Sequence, residues 1–80
     1  MVHENVRRIR KAKGISMKHV ARVLGLSEMG YSHLETGSVR LDVERLRTIS
    51  SVLGVSESVF FDDKLTETVV TGIANSHSTA

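Results

Sequence analysis

Between Met17 and Leu34 the chain reads Met-Lys-His-Val-Ala-Arg-Val-Leu-Gly-Leu-Ser-Glu-Met-Gly-Tyr-Ser-His-Leu. Val20, Ala21 and Leu24 recur at three- and four-residue steps, which places them on one face of a helix. Gly25 breaks that helix, Leu26 and Ser27 follow, and Tyr31 and Leu34 mark the inner face of a second. Gly25 can take a positive φ at no steric cost, so the chain can reverse within three residues. Ala21 is small where the two helices cross most closely. Val20, Leu24, Leu26, Tyr31 and Leu34 then close the space between them. Two short helices meeting at a tight glycine corner leave few folds open to so short a chain.

The flanking sequence reads as more helix. A first helix spans about 3–13, with Val6 and Ile9 inward, and Gly14 suits the left-handed residue beyond its end. Ser16 is the natural N-cap of the second helix, which stops at Gly25. Ser27 caps a third, ending near Gly37. Asp42 caps a fourth, in which Val43, Leu46, Ile49 and Leu53 recur at helical spacing before Gly54. Ser56 caps a short fifth through Val59, Phe60 and Phe61. The chain is therefore expected to be an all-α, five-helix domain over residues 1–63. Its interior comprises Val6, Ile9, Ile15, Val20, Ala21, Leu24, Leu26, Tyr31, Leu34, Leu46, Ile49, Leu53, Val55, Val59 and Phe60. Residues 64–80 read as a tail, with a short extended segment over 66–71 and a frayed end over 75–80. That tail is expected to be partly disordered or to contribute to self-association.

Eighty residues suffice for one domain. With no cysteine, disulfides and thiolate metal sites are excluded. His3, His19, His33 and His77 show no pair at three- or four-residue spacing, so no metal site is expected. Nothing in the sequence points to a nucleophile, a phosphate-cradling loop or a pocket, so the chain reads as non-enzymatic and without a cofactor. No apolar run approaches the roughly 20 residues that cross a bilayer, and the first residues lack a signal-peptide core; a cytoplasmic protein is expected. Charge is unevenly spread. Residues 1–24 carry seven Lys or Arg against Glu4 alone, for +6, whereas residues 25–80 carry four against eight acids, for −4. A basic amino-terminal third suits a polyanionic partner.

The ordered set Ile9-Arg10-Lys11-Ala12-Lys13-Gly14-Ile15-Ser16, Val20-Ala21, Leu24-Gly25-Leu26-Ser27, Ser32, Leu34-Glu35-Thr36-Gly37, Leu46 and Leu53-Gly54-Val55-Ser56 resembles the Cro and lambda-repressor-like helix-turn-helix regulators, the XRE family. The resemblance covers about residues 5–61. It implies a five-helix lambda-repressor-like domain with its helix-turn-helix at helices 2 and 3. It further implies binding to double-stranded operator DNA, usually as a homodimer, by a bacterial or phage-encoded protein associated with the nucleoid. Arg10 is implied to pair with Glu35. Two positions depart from the family pattern. Met17 stands where the family usually has a phosphate-contacting glutamine, whose hydrogen bond methionine cannot donate, and Leu41 stands where it often has proline.

On this reading the helix over 27–36 enters the major groove. Glu28, Met29, Ser32 and His33 are uncommitted to the core and are the expected base readers. A carboxylate can accept from cytosine N4, and methionine can pack on a thymine methyl. Phosphate contacts are expected from Ser16, Lys18, Ser27, Ser38 and Arg40, with Met17 at the family's phosphate-contact position. Arg10, Ala21, Gly25 and Glu35 hold the motif together. Val59, Phe60 and Phe61 offer more apolar surface than one small core hides and are expected to serve dimerisation on a palindromic operator. A dimeric repressor or autoregulator is the leading expectation. The alternative is a protein-binding module, such as an antitoxin or anti-repressor partner, in which DNA binding is secondary; Glu28 and Met17 favour it.

Overall fold

A computed structural model describes residues 1–78, with side chains through Ile73. It contains five α-helices: α1 (Val2–Ala12), α2 (Met17–Leu24), α3 (Glu28–Thr36), α4 (Val43–Leu53) and α5 (Asp63–Ser78). Between α4 and α5 lies a single 3₁₀ turn, Glu57–Phe61. No strand occurs among the described residues, and no helix is long and apolar enough to cross a membrane. The architecture is the all-α, lambda-repressor-like helix-turn-helix domain.

Local chemistry sets the helix ends. The Ser16 hydroxyl accepts from the His19 N–H at 3.1 Å, Ser27 from Gly30 at 3.0 Å, and the Asp42 carboxylate from Arg45 at 2.7 Å. Each satisfies a backbone donor that the first turn leaves orphaned. Gly25 closes α2 with φ +71°, the left-handed geometry that the sharp corner into α3 requires.

Val6, Ile9, Val20, Ala21, Tyr31, Leu34, Leu46, Ile49, Leu53 and Phe60 form the buried core. Ile15, Leu24, Leu26, Val55 and Val59 pack half-buried around it. Val43 is the exception to the helical spacing read on α4: it is exposed.

Two expectations are corrected. The short helix after Ser56 is 3₁₀ rather than α, and the Ser56 side chain makes no cap hydrogen bond; its hydroxyl pairs with that of Ser58. The fifth α-helix comes next, across the segment 66–71 that reads as extended. Asp62 initiates it, its carboxylate accepting from the N–H groups of Lys64 and Leu65. Of the frayed end expected over 75–80, residues 75–78 continue α5, and 79–80 lie outside the described residues.

α5 is held against α1 by polar contacts across the chain. Asn5 Nδ2 donates to the Phe60 carbonyl and to Asp63 Oδ1, each at 2.8 Å, and Arg8 pairs with Glu67. Thr66 is fully buried, its hydroxyl donating to the Val59 carbonyl at 2.7 Å. The hydrogen bond from Asn5, then the Met1 amino group, holds the Asp63 carboxyl below its ordinary range, and Arg8 does the same for Glu67. A carboxyl with a depressed folded-state pKa contributes stability that is present above its unfolded pKa and lost as pH falls through the folded value. Acid is therefore expected to loosen α5 from α1 below the ordinary carboxylate range of about pH 4. Amide exchange should show residues 63–73 losing protection before α2 and α3 as pH falls; simultaneous loss would contradict this.

Candidate nucleic-acid interface

A buried ion pair ties α3 to α1. Arg10 on α1 donates from Nε to Glu35 Oε2 at 2.5 Å and from Nη2 to Oε1 at 3.0 Å, a bidentate fork. Its remaining nitrogen, Nη1, donates to the Ile15 carbonyl at 2.8 Å in the loop before α2. One guanidinium thus ties α1, the loop and the last turn of α3. The Glu35 hydrogen bond outweighs burial and holds the Arg10 guanidinium above its ordinary pKa.

Tyr31 lies beside the pair with its hydroxyl buried and without a hydrogen-bond partner among the described residues. Burial first, and Glu35 second, push this phenol far above its ordinary pKa, so it stays neutral. The far end of α3 is covered by His3, whose ring atoms Cε1 and Nε2 would stand 2.8 Å from a Cβ at residue 37. Gly37 also has φ +82°, so backbone geometry and space both favour glycine there.

With Tyr31, Leu34 and Glu35 buried, the opposite face of α3 is free. Glu28, Met29 and His33 are exposed, Met29 at 71%, and Ser32 is half-buried beside them. Gly30 brings the helix backbone close to the Ser27 cap, where an added Cβ would lie 3.1 Å from the hydroxyl oxygen. These positions form one continuous strip on a rigid helix, and the strip carries an acceptor, a thioether, a hydroxyl and an imidazole.

The expected phosphate contacts sit at the starts of α2 and α3 and in the loop after α3. Ser16 and Ser27 use their oxygens as cap acceptors, which leaves each O–H proton free to donate outward. Lys18 is exposed in the first turn of α2. Met17 is half-buried against the core, consistent with a side chain that has no polar group to offer. The Ser38 hydroxyl meets that of Thr36 at 3.1 Å, and Arg40 is exposed in the loop that follows.

The three residues expected to dimerise separate sharply. Phe60 is fully buried in the core and has no surface to give, which corrects its assignment. Val59 is half-buried against the same core. Phe61 is 64% exposed, since adjacent residues on a turn point in different directions. It opens onto an apolar groove of about 270 Å³ shared with Val2, Val39, Leu41, Val43 and Leu46. Among the described residues no three His, Asp or Glu side chains gather as a metal site, and the side chain of His77 lies outside them.

The helix-turn-helix family matches residues 6–60. The chain is 36% identical over 56 residues to the SPbeta prophage-derived uncharacterized HTH-type transcriptional regulator YonR of Bacillus subtilis (strain 168), a match covering 70% of this chain and 52% of that protein. It thus spans about half the length of the curated relative it matches. No solved structure matches it. The motif, the assembled helices and the matched span agree: the chain belongs to the XRE-like helix-turn-helix family, a family of transcription regulators rather than of enzymes.

Proposed function

We propose that this protein is a sequence-specific regulator of transcription, a homodimeric repressor or autoregulator that reads the major groove of a palindromic operator with α3. The observation that carries the reading is the strip Glu28, Met29, Ser32 and His33, displayed on a helix whose other face is locked by Arg10 and Glu35. A rigid helix with a free polar and apolar edge suits base readout, where a carboxylate accepts from cytosine N4 and a thioether packs on a thymine methyl. Glu28 repels phosphates, so its presence there is explained by reading a base and not by affinity. Exposed Phe61 and its groove support pairing of two copies, with reading helices about 34 Å apart on successive major grooves. Occupancy of the operator by the dimer is the regulatory act.

Selection of bound sequences from random duplex DNA tests this. A two-fold symmetric site should be enriched. Absence of any enrichment at low salt would overturn the proposal in favour of a protein-binding module. With the site in hand, Glu28→Ala and His33→Ala should each lose about 1–3 kcal/mol of discrimination at one base pair per half-site. Unchanged preference and affinity in both would remove those residues from the reading edge.

A further inference from the structure

The basic residues of α1 look alike in the sequence, but the fold gives them different tasks. Arg10 is consumed by Glu35 inside the domain, and Arg8 is paired with Glu67 on α5. Arg7 and Lys11 are exposed and take part in no ion pair among the described residues. They stand four residues apart, on the same side of α1 and about 6 Å apart along its axis. That side forms one wall of a groove whose other walls are Met17 at the start of α2 and Ser32 and Thr36 on α3. Glu35, on the groove floor, is already neutralised by Arg10.

Two uncommitted cations therefore flank the reading helix, on the side where α2 begins. A helix in the major groove lies between two phosphate strands, so its flank faces one of them. The helix before it crosses that backbone. At this crossing Met17 has no side-chain donor to offer. We infer that Arg7 and Lys11 form a cationic grip on the phosphodiester backbone of duplex DNA, supplying from α1 the contact that Met17 cannot make. This rests on the proposed DNA binding and adds to it a residue pair on a different helix. The pair neutralises phosphates and reads no base, so it contributes affinity and register without sequence preference.

Salt dependence isolates the grip. Each phosphate neutralised contributes about 0.9 to the slope of log affinity against log salt. Binding of a 20-base-pair mixed-sequence duplex should therefore show a slope shallower by about 0.9 in Arg7→Gln or Lys11→Gln, and by about 1.8 in the double variant. Over a fourfold rise in salt the double variant should lose about tenfold less affinity than the wild type. Arg8→Gln is the comparison, since its charge is held by Glu67, and should leave the slope unchanged. All substituted side chains are exposed, and circular dichroism checks that each variant keeps the helical fold, including Arg8→Gln, which releases Glu67 on α5. If the wild type binds and the double variant keeps its slope, the inference is overturned while DNA binding stands. An equal fall in Arg8→Gln would also overturn it, by showing an effect of net charge alone. If the wild type fails to bind any duplex, this inference and the proposed function fall together.

Discussion

Glu35→Ala is expected to lower folding stability by about 3–5 kcal/mol, the cost of leaving a buried charge without its partner. The Arg10 side chain is 8% exposed and that of Glu35 3%. Removing the carboxylate leaves a guanidinium that cannot shed its proton and keeps only the hydrogen bond to the Ile15 carbonyl. Domains of this size are stable by only about 5–10 kcal/mol, so the variant should be substantially unfolded at modest urea. The converse substitution sharpens the expectation. Arg10→Met combined with Glu35→Leu removes both charges and should be close to neutral in stability, because the pair repays little more than its own desolvation. Urea denaturation followed by circular dichroism compares the three proteins. A Glu35→Ala protein as stable as the wild type would show that the pair is not buried as described. The doubly substituted protein has a second use: if it folds but binds DNA more weakly, the fork serves to orient α3 as well as to hold it.

That fork also shows how much of the fold can be read without coordinates. The caps Ser16, Ser27 and Asp42 and the corner at Gly25 are local, each acting within three or four residues, so their sequence signals and their geometry coincide. The free strip on α3 follows from the 3.6-residue period once Tyr31 and Leu34 are placed inward. α5 is different. Its β-branched run Thr66, Thr68, Val69, Val70 and Thr71 has weak helix propensity. What makes it helical is tertiary: Asn5 and Arg8, more than fifty residues earlier, provide partners for Asp63 and Glu67, and the bundle buries Thr66 with its hydroxyl satisfied. One local signal was available, Asp62 as a cap followed by Asp63 in the first turn, where a negative charge favours the helix dipole. On this face of α1 only the task of Arg10 is legible, through the resemblance that pairs it with Glu35. Which of Arg7, Arg8 and Lys11 faces α3 and which faces α5 depends on how the helices cross.

Phe61→Ser is expected to weaken binding to a two-fold operator by about 10²- to 10⁴-fold while leaving binding to one half-site unchanged. The factor is the advantage of linking two reading helices, which turns the second half-site contact into an intramolecular step. Phe61 is the residue through which the proposed dimer pairs. With Val43, 62% exposed, and Val39, it rims the apolar groove between the loop after α3 and the start of α4. The neighbouring Phe60 fills the core, so the two phenylalanines divide the work between folding and surface. Serine at 61 removes apolar surface without opening a cavity, so the monomer should stay folded, and its melting temperature should lose only the concentration-dependent part that dimerisation adds. Sedimentation should show dimer for the wild type and monomer for Phe61→Ser, and titration of full and half operators should separate the two affinities. Identical sedimentation and identical affinity for the full site would mean that Phe61 only covers the end of the bundle, and the dimer would then need another face.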